Sequence, residues 1–251
     1  MKLYGLIGFP LGHSFSKAYF TEKFSREAID ARYNLYELKD IQEFARLKEI
    51  ENLCGLNVTI PYKEQVISYL DQLDETAAGI GAVNVIKFIK KDNGLILKGY
   101  NTDVVGFRLS IQPFLKQNHK KALILGTGGA SKAIRFALRE MGLDVKLVSR
   151  NPTENQLSYR ELNEETIREY SVIVNASPVG MHPHVDNCPE IPYNALTPDH
   201  LLFDAVYNPA ETLFLKKGKA HGATTLNGLE MLRGQAEAAW EIWGGFLSSE
   251  F

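Results

Sequence analysis

Cysteine is scarce in this chain, with only Cys54 and Cys188 among 251 residues. That excludes a disulfide framework and leaves stability to an apolar core. Charge of one sign is scarce too: 28 Lys and Arg stand against 30 Asp and Glu, for a net charge of −2. There is no basic surplus to meet a phosphate backbone, so no nucleic-acid partner is expected. No apolar run approaches the ~20 residues that span a bilayer, which argues against a membrane partner. The N-terminal MKLYGLIGFPLGHSFSK is too short in its apolar part for a secretory signal. Repeats and low-complexity segments are absent. What remains is an ordinary globular composition, long enough for a full core and two domains, expected in the cytoplasm as a monomer or homodimer.

The most informative stretch begins at Lys121, KALILGTGGASKAIRFALREMGLDVKLVSR. Ala-Leu-Ile-Leu is apolar without alternation, as in a parallel strand buried on both faces. The turn Gly126, Thr127, Gly128, Gly129, Ala130 and Ser131 follows at once. Ala130, Ile134, Ala137, Leu138 and Met141 then recur at helical spacing, and Gly142 sits where a C′ glycine belongs. Asp144 to Ser149 reads as a second strand. Strand, glycine turn, helix and strand in about thirty residues make a dinucleotide-binding unit. Gly126 lets the chain leave the strand sharply, and Gly128 lets the backbone approach a pyrophosphate at the positive end of the helix. Ser131 replaces the third glycine of the fingerprint. A tight turn without ligand is the bland alternative.

The second strand ends Val148-Ser149-Arg150-Asn151. An acid there would accept the ribose hydroxyls of NAD, whereas a base suits the 2′-phosphate of NADP. Asp144 lies at the beginning of the strand, the wrong end. Arg150 can give two charge-assisted hydrogen bonds to a phosphate, so NADP is the expected cofactor.

Around this unit the chain alternates strands and helices. Strands are expected at Leu3 to Phe9, Tyr33 to Leu38, Gly55 to Ile60, Ala82 to Ile89 and Leu95 to Tyr100. The last two are joined by the hairpin signal Asn93-Gly94. Helices are expected at Lys17 to Ala28, Ile41 to Leu47 and Lys63 to Leu70, the last with Pro61 as its N1 proline. Asp103 can cap a helix running to about Gln117. Further on come a helix near Glu164 to Glu169, strands at Ser171 to Asn175 and Leu201 to Val206, and a Pro- and Asn-rich loop between them. A helix at Thr212 to Ala220, a strand at Thr224 to Leu226 and a closing helix from Gly228 complete the series. The fold class is α/β. An N-terminal α/β domain spans 1–102 and is completed by helix 228–251. A Rossmann-type doubly wound parallel sheet spans 103–227.

In open α/β sheets, substrates bind at the carboxyl ends of strands. Polar residues gather at such ends in the first domain: Ser14 and Ser16, Asn57 and Thr59 on one strand face, Lys63, Asn84, and Asn101-Thr102-Asp103. Ser14, Ser16 and Asp103 serve equally well as helix caps. A lysine in the first turn of a helix is poorly placed for the dipole, which points to another use for Lys63. Lys63 and Asp103 suit a proton-transfer pair. His182, His184 and Cys188 offer three ligands in a Pro-rich loop without a fourth, so no metal is expected. Trp240, Ile242, Trp243 and Phe246 read as core, and His13 as a loop residue.

Eight segments in order, SFS from Ser14, NVTIPYK from Asn57, GAVNV from Gly81, GYNTDVVG from Gly99, GTGGAS, NASPVGM from Asn175, DAVYNPAET from Asp204 and GLEMLRGQ from Gly228, together resemble the shikimate dehydrogenase family. The resemblance runs through almost the whole chain. It implies NADPH-linked, reversible reduction of 3-dehydroshikimate to shikimate, a step toward chorismate and the aromatic amino acids. By motif it assigns Lys63 as acid/base with Asp103 paired to it, and Ser14 and Ser16 to the substrate carboxylate. Asn57, Thr59, Asn84 and Gln235 fall to the rest of the substrate, with Tyr207 closing the carboxylate end. Ser177, Met181 and Gly228 fall near the nicotinamide, joining the glycine turn and Ser149, Arg150 and Asn151 on the cofactor. The family's Asn-Arg-Thr after the second Rossmann strand is Ser149-Arg150-Asn151 here. A quinate/shikimate enzyme using NAD is disfavoured by Arg150, and a non-catalytic nucleotide-binding regulator by Lys63 and Asp103 together.

Overall fold

The computed structural model describes residues 1–12, 14–92 and 94–244. His13, Asn93, Phe246 and the remainder of the closing helix expected to residue 251 lie outside the described residues. The chain divides into two compact units. One holds Met1–Thr102 with the closing segment from Ala236, and the other holds Asp103–Gln235.

The first unit runs β1 (Lys2–Gly8), α1 (Phe15–Arg26), β2 (Ala31–Glu37), a 3-10 helix (Ile41–Glu49) and β3 (Leu53–Val58). A 3-10 turn (Gln65–Tyr69), β4 (Gln72–Leu73), α2 (Glu75–Ile80), β5 (Val85–Lys91) and β6 (Gly94–Tyr100) follow. The sheet order is β2-β1-β3-β5-β6-β4. β1 pairs in parallel with β2 and β3, while β3–β5 and the β5–β6 hairpin are antiparallel. Both sheet faces are covered, as the continuous burial of β1 demands. Phe20 and Phe24 of α1 pack with Tyr4, Ala236, Ala239, Trp240 and Trp243 on one face. Phe44, Leu47, Val66 and Ala77 pack against Ile7, Leu56, Ile86 and Leu97 on the other. Each buried Val, Leu, Ile or Phe among them contributes about 1.5–3 kcal/mol of transfer free energy. Trp243 also donates its indole N–H to the Ile86 carbonyl at 3.0 Å, so the closing segment is stitched to the middle of this sheet.

The second unit runs α3 (Asp103–Ile111), β7 (Lys121–Leu125), α4 (Gly129–Glu140), β8 (Asp144–Ser149), β9 (Gln156–Ser158) and α5 (Glu164–Glu169). It continues with β10 (Val172–Asn175), β11 (Leu201–Asp204), α6 (Leu213–Ala220), β12 (Thr224–Leu226) and the start of α7 (Leu229–Trp243). All its strands pair in parallel, in the order β12-β11-β10-β7-β8-β9. This is the doubly wound order, with its switch point between β7 and β10. Ile167, Phe214 and Leu215 cover one face of the strands. On the other, Phe107 of α3 meets Phe203 edge-on, with ring centroids 4.9 Å apart.

Four expectations fail locally. No helix starts at Pro61: residues 60–64 form a turn, and only Gln65–Tyr69 coils, as a 3-10 helix. The Lys63 carbonyl accepts from Val83 N–H at 2.7 Å, a tertiary bond that takes it out of any helical ladder. Lys63 therefore does not sit in the first turn of a helix and does not face a helix dipole, contrary to expectation. Thr59 stands one residue beyond β3, and Asn84 in the bend ahead of β5 rather than inside it. α3 stops at Ile111 because Pro113 offers no N–H to continue it. β11 stops at Asp204, two residues short of Val206, because the Val206 N–H turns back to the Asp204 carboxylate.

Candidate functional site

The glycine turn has the geometry a pyrophosphate needs. Gly126 adopts φ +111, a region closed to most L side chains, and a Cβ there would sit 3.2 Å from Ser177. Its N–H is used by the Val148 carbonyl at 2.9 Å, which anchors the turn on β8. Gly128 is the N-cap of α4 and has no side chain to satisfy the first-turn amides. Nothing lies within 4 Å of where its Cβ would be. Open space, uncapped amides and the positive end of a twelve-residue helix fit a dinucleotide diphosphate. Ser131 is buried against the strand, as a small third position requires.

Beyond β8, Ser149 Oγ accepts from Asn151 N–H at 3.2 Å, folding a short turn that leaves Arg150 exposed at its apex. Arg150 lies near Tyr159, where its charge opposes the rise that burial gives the phenol. The chain at the carboxyl end of β8 reads Ser149-Arg150-Asn151, with no acid among them.

The strand ends of β10 and β11 carry a buried polar network that sequence reasoning passed over. Asp204 accepts from Thr212 Oγ1 at 2.6 Å, Asn175 Nδ2 at 2.9 Å and Val206 N–H at 3.0 Å. Burial nonetheless pushes its carboxyl up to about 6. Asn175 Oδ1 accepts from the Ser177 hydroxyl and amide, at 2.6 and 3.1 Å, and its Nδ2 also reaches the Val179 carbonyl at 3.1 Å. The Ser177–Met181 loop is thereby fixed over the switch point, with Met181 half exposed. His182 N–H bonds to the Asn208 carbonyl, and Gly228 N–H to that of Val206. Ser177, Met181, Tyr207 and Gly228 thus gather at one end of this sheet. Asn175 and Asp204 begin two of the quoted motifs, which was the only signal for them.

Asp103 opens α3 in this unit and is buried. α3 crosses the start of α7 closely, since a Cβ on Gly106 would lie 2.2 Å from the Met231 carbonyl and 2.8 Å from Gln235 N. Gln235 therefore lies one helical turn along from Asp103, also buried.

The first unit brings the other predicted residues to one edge of its sheet, at the carboxyl ends of β1 and β3 and the amino end of the antiparallel β5. Ser14 caps α1, its Oγ accepting from Lys17 N–H at 3.3 Å, with no acidic residue in that first turn. Tyr33, fully buried, donates to Asn57 Oδ1 at 2.6 Å. Asn57 Nδ2 reaches the Asn84 carbonyl at 3.4 Å. Asn84 is locked in turn: its Oδ1 accepts from Thr102 N–H at 2.7 Å, and its Nδ2 lies 3.0 Å from Thr102 Oγ1. Thr59 N–H bonds to the Ile7 carbonyl at 2.9 Å, beside β1. Lys63 is half-buried, its backbone pinned by Val83. Lys63 belongs to the first unit and Asp103 to the second. Among the described residues no group of three or more His, Cys, Asp or Glu side chains could hold a metal ion. No described helix is long and apolar enough to cross a membrane.

Residues 6–86 match the family model of the shikimate dehydrogenase substrate binding domain. The shikimate dehydrogenase (NADP(+)) of Methanosphaera stadtmanae is 36% identical over 260 residues, covering 96% of this chain and 90% of that one. The crystal structure of shikimate 5-dehydrogenase from Thermus thermophilus in complex with NADP(H) and shikimate aligns with a TM-score of 0.86 and 31% identity, over 99% of this chain and 95% of that one. The quinate dehydrogenase of Corynebacterium glutamicum, in complex with NAD, aligns with a TM-score of 0.86 at 28% identity, over 98% and 94%.

Proposed function

Since this chain belongs to the shikimate dehydrogenase family, we propose that it catalyses the reversible, NADP-dependent reduction of 3-dehydroshikimate to shikimate. The observation that carries this reading is that the likeness to NADP-dependent relatives runs through both units, over 96% of the chain. The unit of Met1–Thr102 with the closing segment from Ala236, eight residues later than the expected start at Gly228, serves the substrate, and the unit of Asp103–Gln235 holds the cofactor.

NADPH, when bound, supplies the hydride. Gly126, Thr127, Gly128, Gly129, Ala130 and Ser131 take its diphosphate on the uncapped amides of α4. Arg150 takes the 2′-phosphate as a bidentate donor, flanked by Ser149 and Asn151. Ser177, Met181 and Gly228 shape the nicotinamide end. The Ser14 and Ser16 hydroxyls bind the substrate carboxylate as donors at the positive end of α1, with Tyr207 closing that end. Asn57, Thr59, Asn84 and Gln235 orient the ring and its hydroxyls. Lys63 carries the proton that must reach the carbonyl oxygen as hydride arrives at carbon, and Asp103 keeps its ammonium in place.

The test is absorbance at 340 nm with shikimate and with quinate, each with NADP and with NAD. Turnover of shikimate with NADP is expected to dominate. Preferred turnover of quinate with NAD would move the chain to the quinate branch, and no turnover of either would leave a nucleotide-binding regulator.

A further inference from the structure

Asn175 is the last residue of β10, and its side chain is wholly buried. A buried amide must meet its hydrogen-bonding positions inside the protein. Its Oδ1 accepts from the Ser177 amide at 3.1 Å and from the Ser177 hydroxyl at 2.6 Å. Its Nδ2 donates to the Val179 carbonyl at 3.1 Å and to Asp204 Oδ1 at 2.9 Å. The two ends of the amide are not interchangeable, because a backbone N–H stands on one side and a backbone carbonyl on the other. Aspartate would turn an acceptor toward the Val179 carbonyl and Asp204. Alanine would leave the Ser177 amide and Asp204 each without a partner.

These bonds add nothing to the strand ladder. β10 is already held by backbone pairing to β7 and β11 and by Ile173 in the core. The amide instead reaches past the strand, to Ser177 and Val179. The start of that loop lies against the glycine turn: Ala176 N–H bonds to the Leu125 carbonyl at 2.9 Å, and a Cβ on Gly126 would sit 3.2 Å from Ser177. The loop then runs on to the half-exposed Met181. From the other side Asp204 anchors the amide and is itself held by Thr212 Oγ1 and Val206 N–H. One buried side chain thus joins the rigid strand ends to the loop that borders the turn.

We propose that Asn175 is a positioning residue for hydride transfer: its amide fixes the Ser177–Met181 loop beside the glycine turn and so sets where the nicotinamide ring lies relative to the diphosphate. With both ends of its amide bonded inside the protein, it acts on the cofactor through the loop. The inference deepens the NADP-linked reading above and rests on the place given there to Ser177 and Met181.

Asn175→Ala separates the two halves of the cofactor. Initial rates at 340 nm with shikimate and NADP should show kcat lowered about 10- to 100-fold, the cost of a small misplacement of the reacting ring. The inhibition constant of 2′,5′-ADP against NADP should stay within about two-fold, since that fragment carries the 2′-phosphate but no nicotinamide. With shikimate deuterated at the carbon that gives up hydride, the isotope effect on kcat should be at least as large as in the unmodified protein. Ile173→Val, a buried change in the same strand that touches none of these bonds, should move neither constant by more than about two-fold. Where Asn175→Ala does not fold, Asn175→Ala with Asp204→Asn removes the stranded charge and is read in the same way against Asp204→Asn alone. An unchanged kcat, losses of kcat and of 2′,5′-ADP affinity in step, or a smaller isotope effect would overturn the proposal. Absence of shikimate turnover in the unmodified protein would instead overturn the assigned function and take this inference with it.

Discussion

Asp204→Asn isolates the energetics of the network beneath the Ser177–Met181 loop. Asp204 is fully buried at the end of β11 and accepts three hydrogen bonds. Those bonds favour the carboxylate, but desolvation outweighs them and lifts the group from 3.8 to about 6. The sign follows from linkage. Below 3.8 the carboxyl is protonated in folded and unfolded chains alike. Between 3.8 and about 6 the unfolded chain loses its proton while the folded chain keeps it, so stability falls as pH rises. Above about 6 both are ionised and this group adds no further slope. Two units at about 1.36 kcal/mol each give a loss of about 3 kcal/mol across that window. Asparagine removes the titration and keeps the contacts: its Oδ1 still accepts from Asn175 and Val206, and its Nδ2 can donate to Thr212 Oγ1. Urea denaturation of both proteins at intervals from pH 4 to 7.5 measures the difference. The variant should gain on the parent by about 3 kcal/mol as pH rises through this window and then run parallel to it. Parallel curves throughout, or a parent that gains on the variant with rising pH, would refute the dominance of desolvation.

Three further perturbations test the rest of the molecule. Lys63→Ala should lower kcat by about 10²- to 10⁴-fold with a modest change in KM, and a large KM rise at unchanged kcat would make Lys63 a binding residue only. Arg150→Asp should raise KM for NADPH at least about ten-fold, from the loss of charged hydrogen bonds, and affect NADH far less; equal effects would remove Arg150 from the 2′-phosphate. Lys23, 1% exposed, lies 3.0 Å from Glu237 and 3.1 Å from Glu27, and Glu237 also accepts from the Tyr19 hydroxyl. Lys23→Ala should cost about 3–5 kcal/mol by leaving Glu237 buried without its cation, and Lys23→Met with Glu237→Leu should recover most of it in urea denaturation.

How far the sequence reached depends on what kind of bond organises each part. The Rossmann unit is organised by burial and by one glycine turn, and both leave marks in the chain. Unbroken apolar runs became β7, β10 and β11, and Gly126 to Ser131 became the turn beyond β7 together with the first residues of α4. Trp240 and Trp243 fell where an apolar stripe on a helix predicts, in the core. The region from Thr59 to Asn84 was harder, because tertiary hydrogen bonds overrule local preference there. Pro61 and a following apolar pattern read as a helix, yet the Val83 amide takes the Lys63 carbonyl and holds those residues in a turn. α2 escaped notice because six residues carry too little periodicity, although Asp74 caps it through Thr76 and Ala77 N–H. At the candidate site, polar residues at strand ends announced themselves by position, whereas their supports did not. Tyr33 looks like any aromatic in a strand until its hydroxyl is seen on Asn57 Oδ1. Asp204 looks like a strand terminator until its oxygens are seen holding Thr212, Asn175 and Val206. Periodicity reports which side chains leave water. It is silent on which buried oxygen meets which donor, and in both units those pairings orient the groups read as facing substrate and cofactor.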